Sequence, residues 1–354
     1  MRPLVASIDS AALKHNLAVV RRHAARSRVM AVVKANAYGH GLMRTAAALS
    51  DADGFALLEL EDAVRLRETG VQQRIVLLEG FFDAGELPLL VRHGLATVVH
   101  NMDQVAALEG IPGNAKLDVL LKANTGMNRL GLDPSGYAQA LERLRRNPRV
   151  GEITLLTHFA DADEPRGVGW QLERLRGLPG YGALPLSLAN SAAILRYPET
   201  HCDWVRPGIM LYGCSPFPES VGSESGLKPV MTLESRIIAV RELKAGDEVG
   251  YGGAFRADRS MRVGVVACGY ADGYPRHAPT GTPILVAGRM TRTLGRISMD
   301  MLCADLTPVP DAGVGARVVL WGEGAPVERV AAAAGTVGYQ LLCAVAPRVR
   351  IVEK

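Results

Sequence analysis

The chain has 354 residues, of which 48% are hydrophobic and 21% charged. That is a globular composition long enough for about two domains at roughly 150 residues each, and it excludes a disordered or coiled-coil chain. The net charge of +4 is interspersed and aromatics make up only 5%, so no basic stripe with stacking side chains points to nucleic acid, while a small anionic ligand is favoured mildly.

Taken in chain order, Ser10–Arg26 is an amphipathic stretch. Eight short apolar, β-prone runs follow: Val29–Val33, Gly54–Leu58, Ile75–Leu78, Ala96–Val99, Leu117–Leu121, Ile153–Thr157, Leu184–Ala189 and Trp204–Leu211. Stretches of helical period lie between them, namely Gly41–Leu49, Glu61–Glu68, Ala84–Arg92, Pro134–Arg146 and Gln171–Leu175. Eight strands alternating with helices predict an α/β fold with an N-terminal (β/α)8 barrel. Past the Ser- and Gly-rich stretch at Gly222–Pro229 the pattern changes. Ile237–Glu242, Arg262–Ala267, Pro283–Val286, Met301–Leu306 and Arg317–Trp321 read as strands between turns, with one helical stretch at Val327–Ala334. The expected division is a barrel over 1–226 and a mostly-β C-terminal domain over 227–354.

No apolar run reaches the roughly 18 residues of a membrane span. Asp9 and Lys14 break the opening where an export signal needs an apolar core. The five cysteines are odd in number and show no CxxC pair, which reads as reduced thiols rather than disulfides or a metal site. A cytoplasmic protein with no membrane partner and no metal is expected.

Barrel enzymes keep their chemistry at the C-terminal ends of the strands. Those ends carry Lys34, Glu79, His100, Asn101, Lys122, His158, Asn190 and Ser191, with Arg206 inside the eighth run. A lone strand-end lysine is more often a salt-bridge partner, but polar groups recurring at one end of several strands converge on one mouth. Lys34 closes an apolar run, where desolvation lowers an amine's pKa and a neutral amine can form a Schiff base. Asn190 and Ser191, with Gly208 and Ile209 in VRPGIMLYG, offer a hydroxyl and unshielded amides of the kind that bind phosphate. The bland alternative, an N-cap plus a turn glycine, weighs about equally there. A Schiff-base lysine opposite a phosphate cradle points to pyridoxal 5′-phosphate. Arg206 beside its pyridine nitrogen could only donate, which keeps that nitrogen unprotonated and favours moving one proton over side reactions. His158 could hold the guanidinium, although a satisfied core histidine is the commoner case.

Nine motifs occur in order: AVVKANAYGHG, LKANTGMNRLG, LTHFADADE, LANSAA, VRPGIMLYG, VGYGGAF, GYADGYPR, GRISMDM and GTVGYQLLC. In these the chain closely resembles bacterial alanine racemase over nearly its whole length. The resemblance implies a pyridoxal-phosphate enzyme that interconverts L-alanine and D-alanine, for peptidoglycan supply or alanine catabolism. It implies that Lys34 holds the cofactor and is the base on the D-alanine face, and that Tyr251 is the opposite base. It implies a homodimer in which Tyr251 reaches the partner's site. Arg129 would grip the substrate carboxylate, with the Met299 backbone as a second contact. Arg206 would face the pyridine nitrogen, and Tyr38, Ser191, Gly208, Ile209 and Tyr339 would hold the phosphate. Tyr270 and Asp161 to Asp163 would line the access corridor. Lys122 stands where relatives can carry a carbamylated lysine, and Asn124 and Gln340 stand where relatives often have Asp and Glu. Arg129 and Arg206 would also lower the pKa values of both bases.

The rival readings are weaker. A fold-related basic amino-acid decarboxylase would have an acidic partner at the pyridine nitrogen and a Cys-Asp motif. A broad-specificity racemase is commonly exported, and a cofactor carrier lacks the β domain. A generic Schiff-base aldolase barrel leaves Tyr251 and GRISMDM unexplained. No Walker motif, GxGxxG, GxSxG or HExxH is present.

Overall fold

The computed structural model describes residues 2–111 and 114–354. The chain forms two compact units, and neither is one continuous stretch: one holds residues 17–37 and 41–211, the other 1–16, 38–40 and 212–354.

The first unit is a closed barrel of eight parallel strands. They are Arg28–Val32, Gly54–Leu57, Arg74–Leu77, Ala96–Val99, Leu117–Lys122, Val150–Leu156, Leu186–Ser187 and Trp204–Val205. The apolar runs are continuous rather than alternating because a barrel strand is covered on both faces. Phe55, Val76, Val98, Leu121 and Val205 accordingly are fully or almost fully buried. The helix Pro134–Arg146 shows how the local sequence builds the outer layer. Asp133 caps it by accepting from Gly136 N at 2.7 Å, and Pro134 opens it at the position where a missing N–H costs nothing. Tyr137, Ala140, Leu141 and Leu144 form its buried stripe, and Arg143, Arg145 and Arg146 close it at the negative end of its dipole.

All eight predicted barrel strands are present, but the last two are only two residues long. Pro185 and Pro207 flank them, and proline has no N–H to add to a ladder. Arg206 therefore lies just past the eighth strand rather than within it. The helices Met102–Glu109 and Ser191–Arg196 complete the alternation.

In the second unit the long strand Met231–Leu243 pairs antiparallel with Met261–Val266 and with Arg317–Trp321. Leu302–Asp305, Arg289–Leu294 and Pro283–Val286 connect those two, so the pairings close on themselves through six strands. The N-terminal strand Val5–Ile8, which has no counterpart in the sequence reading, pairs antiparallel with Met231–Glu234 and parallel with Arg350–Glu353. Both chain ends are thereby held in the β unit, which is why residues 1–16 group with it and not with the barrel that follows them in sequence. Among the described residues no helix is long and apolar enough to cross a membrane.

Candidate active site

Lys34 follows the first barrel strand and opens a turn of unusual hand. Ala35, Asn36, Ala37 and Tyr38 have φ of 53°, 51°, 55° and 51°, the left-handed region that non-glycine residues adopt at a cost of about 1–2 kcal/mol each. Asn36 stabilises the turn. Its side chain accepts from Leu42 N at 2.8 Å and its carbonyl from Gly41 N at 3.0 Å. Strain of this kind collects at functional sites, where surrounding structure enforces it.

Arg206 is almost fully buried. Nη1 donates to Ser187 Oγ at 2.7 Å, and Nη2 donates to Thr157 O at 2.7 Å and Leu188 O at 3.2 Å. None of these bonds uses Nε. Burial lowers its pKa to about 10, so the guanidinium stays charged at neutral pH. The sequence reading gives His158 the task of holding Arg206. The structure gives it instead to Ser187 and two strand-end carbonyls, which form three bonds around the group. Ser187 is a polar residue between two leucines in PLSLAN, and that is the one signal that singles it out.

Lys122 ends the fifth strand, 8% exposed. Its amine is lowered to about 8, first by burial, then by Arg206 and Arg129, with Lys34 adding to the effect and Glu79 opposing it. His158 is held well below the usual histidine range, again first by burial and then by Arg206, Lys122, Arg129 and Lys34. Four cations therefore act on one imidazole, which stays neutral. The loop that carries Arg129 is organised by Asn124. Its Oδ1 accepts from Gly126 N at 3.0 Å and Asn128 N at 3.1 Å, and its Nδ2 donates to Asn128 Oδ1 at 3.0 Å.

A buried network missed from sequence ties the Lys122 and His158 loops together. Thr125 Oγ1 and Thr157 Oγ1 lie 2.8 Å apart. Gln171 Nε2 donates to Thr125 Oγ1 at 2.7 Å and to His158 O at 3.1 Å. Gln171 reads from sequence only as part of a helix, and its role follows from complete burial, where its amide is satisfied by protein partners.

At the seventh and eighth strand ends, Asn190 Oδ1 caps the short helix by accepting from Ala193 N at 3.0 Å. Ser191 Oγ accepts from Gly208 N at 2.9 Å. Ile209 is buried, yet among the described residues none accepts from its N–H. A buried amide without an acceptor is uncommon and fits a site that receives an anion. Asp161 accepts from Trp170 Nε1 at 3.1 Å.

In the β unit, the Tyr38 ring stacks on Tyr212 with centroids 4.7 Å apart and lies 6.1 Å from Tyr339. Burial pushes the Tyr38 phenol above its ordinary range. Tyr251 is 71% exposed, and Tyr270, Met299 and Met301 are also exposed.

Residues 8–216 match the family model of the alanine racemase N-terminal domain, and residues 230–353 match that of the C-terminal domain. The chain belongs to the alanine racemase family. It is 61% identical to the alanine racemase of Nitrosospira multiformis and 56% identical to that of Burkholderia mallei, each over 99% of both chains. Among solved structures it resembles the biosynthetic alanine racemase of Pseudomonas aeruginosa, with a TM-score of 0.96, 47% identity and complete coverage of both chains. It also resembles the alanine racemase of Bartonella henselae, a structure with covalently bound pyridoxal phosphate, at a TM-score of 0.86 and 28% identity, with complete coverage of both chains. The family's reaction is the pyridoxal-phosphate-dependent racemisation of alanine. Its substrates are L-alanine and D-alanine. The barrel plus β unit is this family's architecture, as the sequence reading expects.

Proposed function

We propose that this chain racemises alanine by a two-base mechanism at the barrel mouth, on pyridoxal phosphate held by Lys34. The observation that carries this reading is that Lys34, Lys122, Arg129 and Arg206 all act electrostatically on one half-buried imidazole, that of His158. Among the described residues the main charges acting on Lys122 and His158 are cationic, with Glu79 opposing them at Lys122. Such a surplus of positive charge receives a phosphate and a carboxylate together.

The donor set fits the cofactor. The Ser191 hydroxyl and the unpartnered Ile209 amide can donate to a phosphate, with Gly208 N donating to Ser191 Oγ and Asn190 capping the adjoining helix; the resemblance would add the phenols of Tyr38 and Tyr339. Held by these residues, pyridoxal phosphate would supply a carbonyl reactive toward amines and a conjugated, electron-withdrawing ring. Arg206, fixed through Nη1 and Nη2, has Nε left to donate to the ring nitrogen and no proton to give it. His158, kept neutral, adds no charge to the site.

Lys34 and Tyr251 exchange protons with Cα on opposite faces. When one takes a proton the other returns one, so the configuration inverts. Each positioned base contributes on the order of 10²–10⁴-fold. Arg129 binds the substrate carboxylate. Lys122 as a neutral amine at slightly alkaline pH is the form that takes up carbon dioxide, and the resulting carbamate would give Arg129 an anionic neighbour. The protein acts as a homodimer in which Tyr251 enters the partner's site, and the exposure of Tyr251 in the single chain supports this.

Borohydride reduction of the holoenzyme tests the reading. Irreversible labelling of Lys34 is expected, with loss of the circular dichroism change that L-alanine otherwise shows. Label on another lysine, or wild-type racemisation by Lys34→Ala, would overturn it.

A further inference from the structure

We propose that Asp272 is a positioning residue that sets the Met299 amide against the substrate carboxylate, acting through Arg2 and Arg348. This deepens the proposed function and rests on the carboxylate role given there to Met299.

The Asp272 carboxylate is completely buried, with 0% of its side chain exposed. It accepts from Arg2 Nη1 at 2.5 Å and Arg2 Nη2 at 2.8 Å, from Arg348 Nε at 2.7 Å and from Gly269 N at 2.9 Å. An ionised carboxylate in such a place is stable only when its lone pairs are taken up, and here they are. The same two arginines continue to the next segment. Arg2 Nη2 donates to Asp300 O at 2.6 Å, and Arg348 Nη2 donates to Asp300 Oδ1 at 2.5 Å. Two aspartates and two guanidiniums thus form a neutral cluster that joins the Tyr270–Asp272 turn to the residue after Met299.

Backbone bonds complete the clamp. Tyr270 N donates to Ser298 O and Ala271 N to Met299 O, both at 3.0 Å. The approach is close enough that a Cβ on Gly269 would come within 2.3 Å of Ser298 O and 2.4 Å of Met299 O. The Met299 carbonyl is therefore committed to the clamp. Its N–H is not: among the described residues none accepts from it, and the residue is exposed. A fixed peptide plane with its donor free is preorganised to receive an acceptor. The cluster also fastens together the segments that precede the N-terminal and C-terminal strands. Arg2 lies just before the N-terminal strand, and Arg348 just before the C-terminal one.

The test uses the holoenzyme and two carboxylates: alanine as substrate, and propionate, which lacks the amine, as inhibitor. Asp272→Asn keeps the shape but loses the charge that holds both arginines. The KM for alanine and the Ki for propionate are expected to rise together by about tenfold, with kcat within about threefold, which is the signature of lost uniform binding. Arg348→Lys keeps a positive charge near Asp272 but loses the fork to Asp300, and a smaller parallel rise of about threefold is expected. If Asp272→Asn does not fold, Arg348→Lys decides. Variants with lowered thermal stability but wild-type KM and Ki would show a merely structural cluster and overturn the proposal. So would a fall in kcat alone. A wild-type enzyme that racemises alanine yet is insensitive to propionate would instead overturn the carboxylate reading on which the proposal rests.

Discussion

Arg206 and Ser187 are joined by a 2.7 Å hydrogen bond between a buried guanidinium and a buried hydroxyl on the neighbouring barrel strand. The bond fixes the plane of the guanidinium, and with it the direction of Nε. Arg206→Lys removes the planar fork and leaves strand-end carbonyls without a donor. We expect a stability loss of about 2–3 kcal/mol and a fall in racemisation of roughly 10²-fold. Ser187→Ala removes one acceptor and keeps both carbonyl bonds, so its cost is expected nearer 1 kcal/mol. Chemical denaturation and steady-state rates check the ranking. Equal effects from the two substitutions would count against the positioning role of the carbonyls.

Tyr251→Phe separates the two faces. Net racemisation has the same equilibrium limit from either side, so the informative measurement is exchange of the α-hydrogen with solvent deuterium. Exchange in D-alanine, which depends on Lys34, is expected to persist. Exchange in L-alanine and racemisation are expected to fall by about 10²-fold or more. Mixing Lys34→Ala chains with Tyr251→Ala chains should then restore activity, because a mixed dimer contains one site with both bases. Equal loss on both faces, or no restoration when subunits demonstrably exchange, would remove these assignments.

Lys122 predicts a pH dependence of stability. Its folded-state amine titrates at about 8, against an ordinary value of 10.5. Between those values the unfolded chain retains a proton that the folded chain has released, so stability rises with pH across that window. Below about 8 both states are charged and the burial penalty is fully felt. Relative to Lys122→Met, in bicarbonate-free buffer, the wild type should gain roughly 3 kcal/mol across the window, at about 1.4 kcal/mol per unit. Urea unfolding of both proteins measures it. A constant difference between them would mean that the amine is not perturbed as described. Added bicarbonate should flatten the dependence if the amine is carbamylated.

Much of the barrel was legible before any coordinates. Asp133 and the thirteen residues of the helix Pro134–Arg146 supply its cap, its opening proline, its apolar stripe and its closing arginines, so its existence and limits are local facts. Lys34, Lys122 and His158 could be placed at strand ends because apolar runs in a parallel barrel are continuous and stop where polar side chains begin. The strands Val5–Ile8 and Arg289–Leu294 were not legible. The first stands apart from the barrel alternation, directly before the helical stretch at Ser10, and the second, RMTRTL, has the composition of an exposed edge.

Sequence alone determined the element rhythm, the motif order and the residue types available for imine, phosphate and carboxylate chemistry, because these depend on neighbours within a few positions. Tertiary structure alone decided which groups answer one another. Arg206 is met by Ser187, Thr157 and Leu188 and not by His158, and Arg2 is met by Asp272 across 270 residues of chain. Nothing local encodes such pairs. They are chosen when burial strips water from a charge and leaves only the partners that folding has brought within about 3 Å.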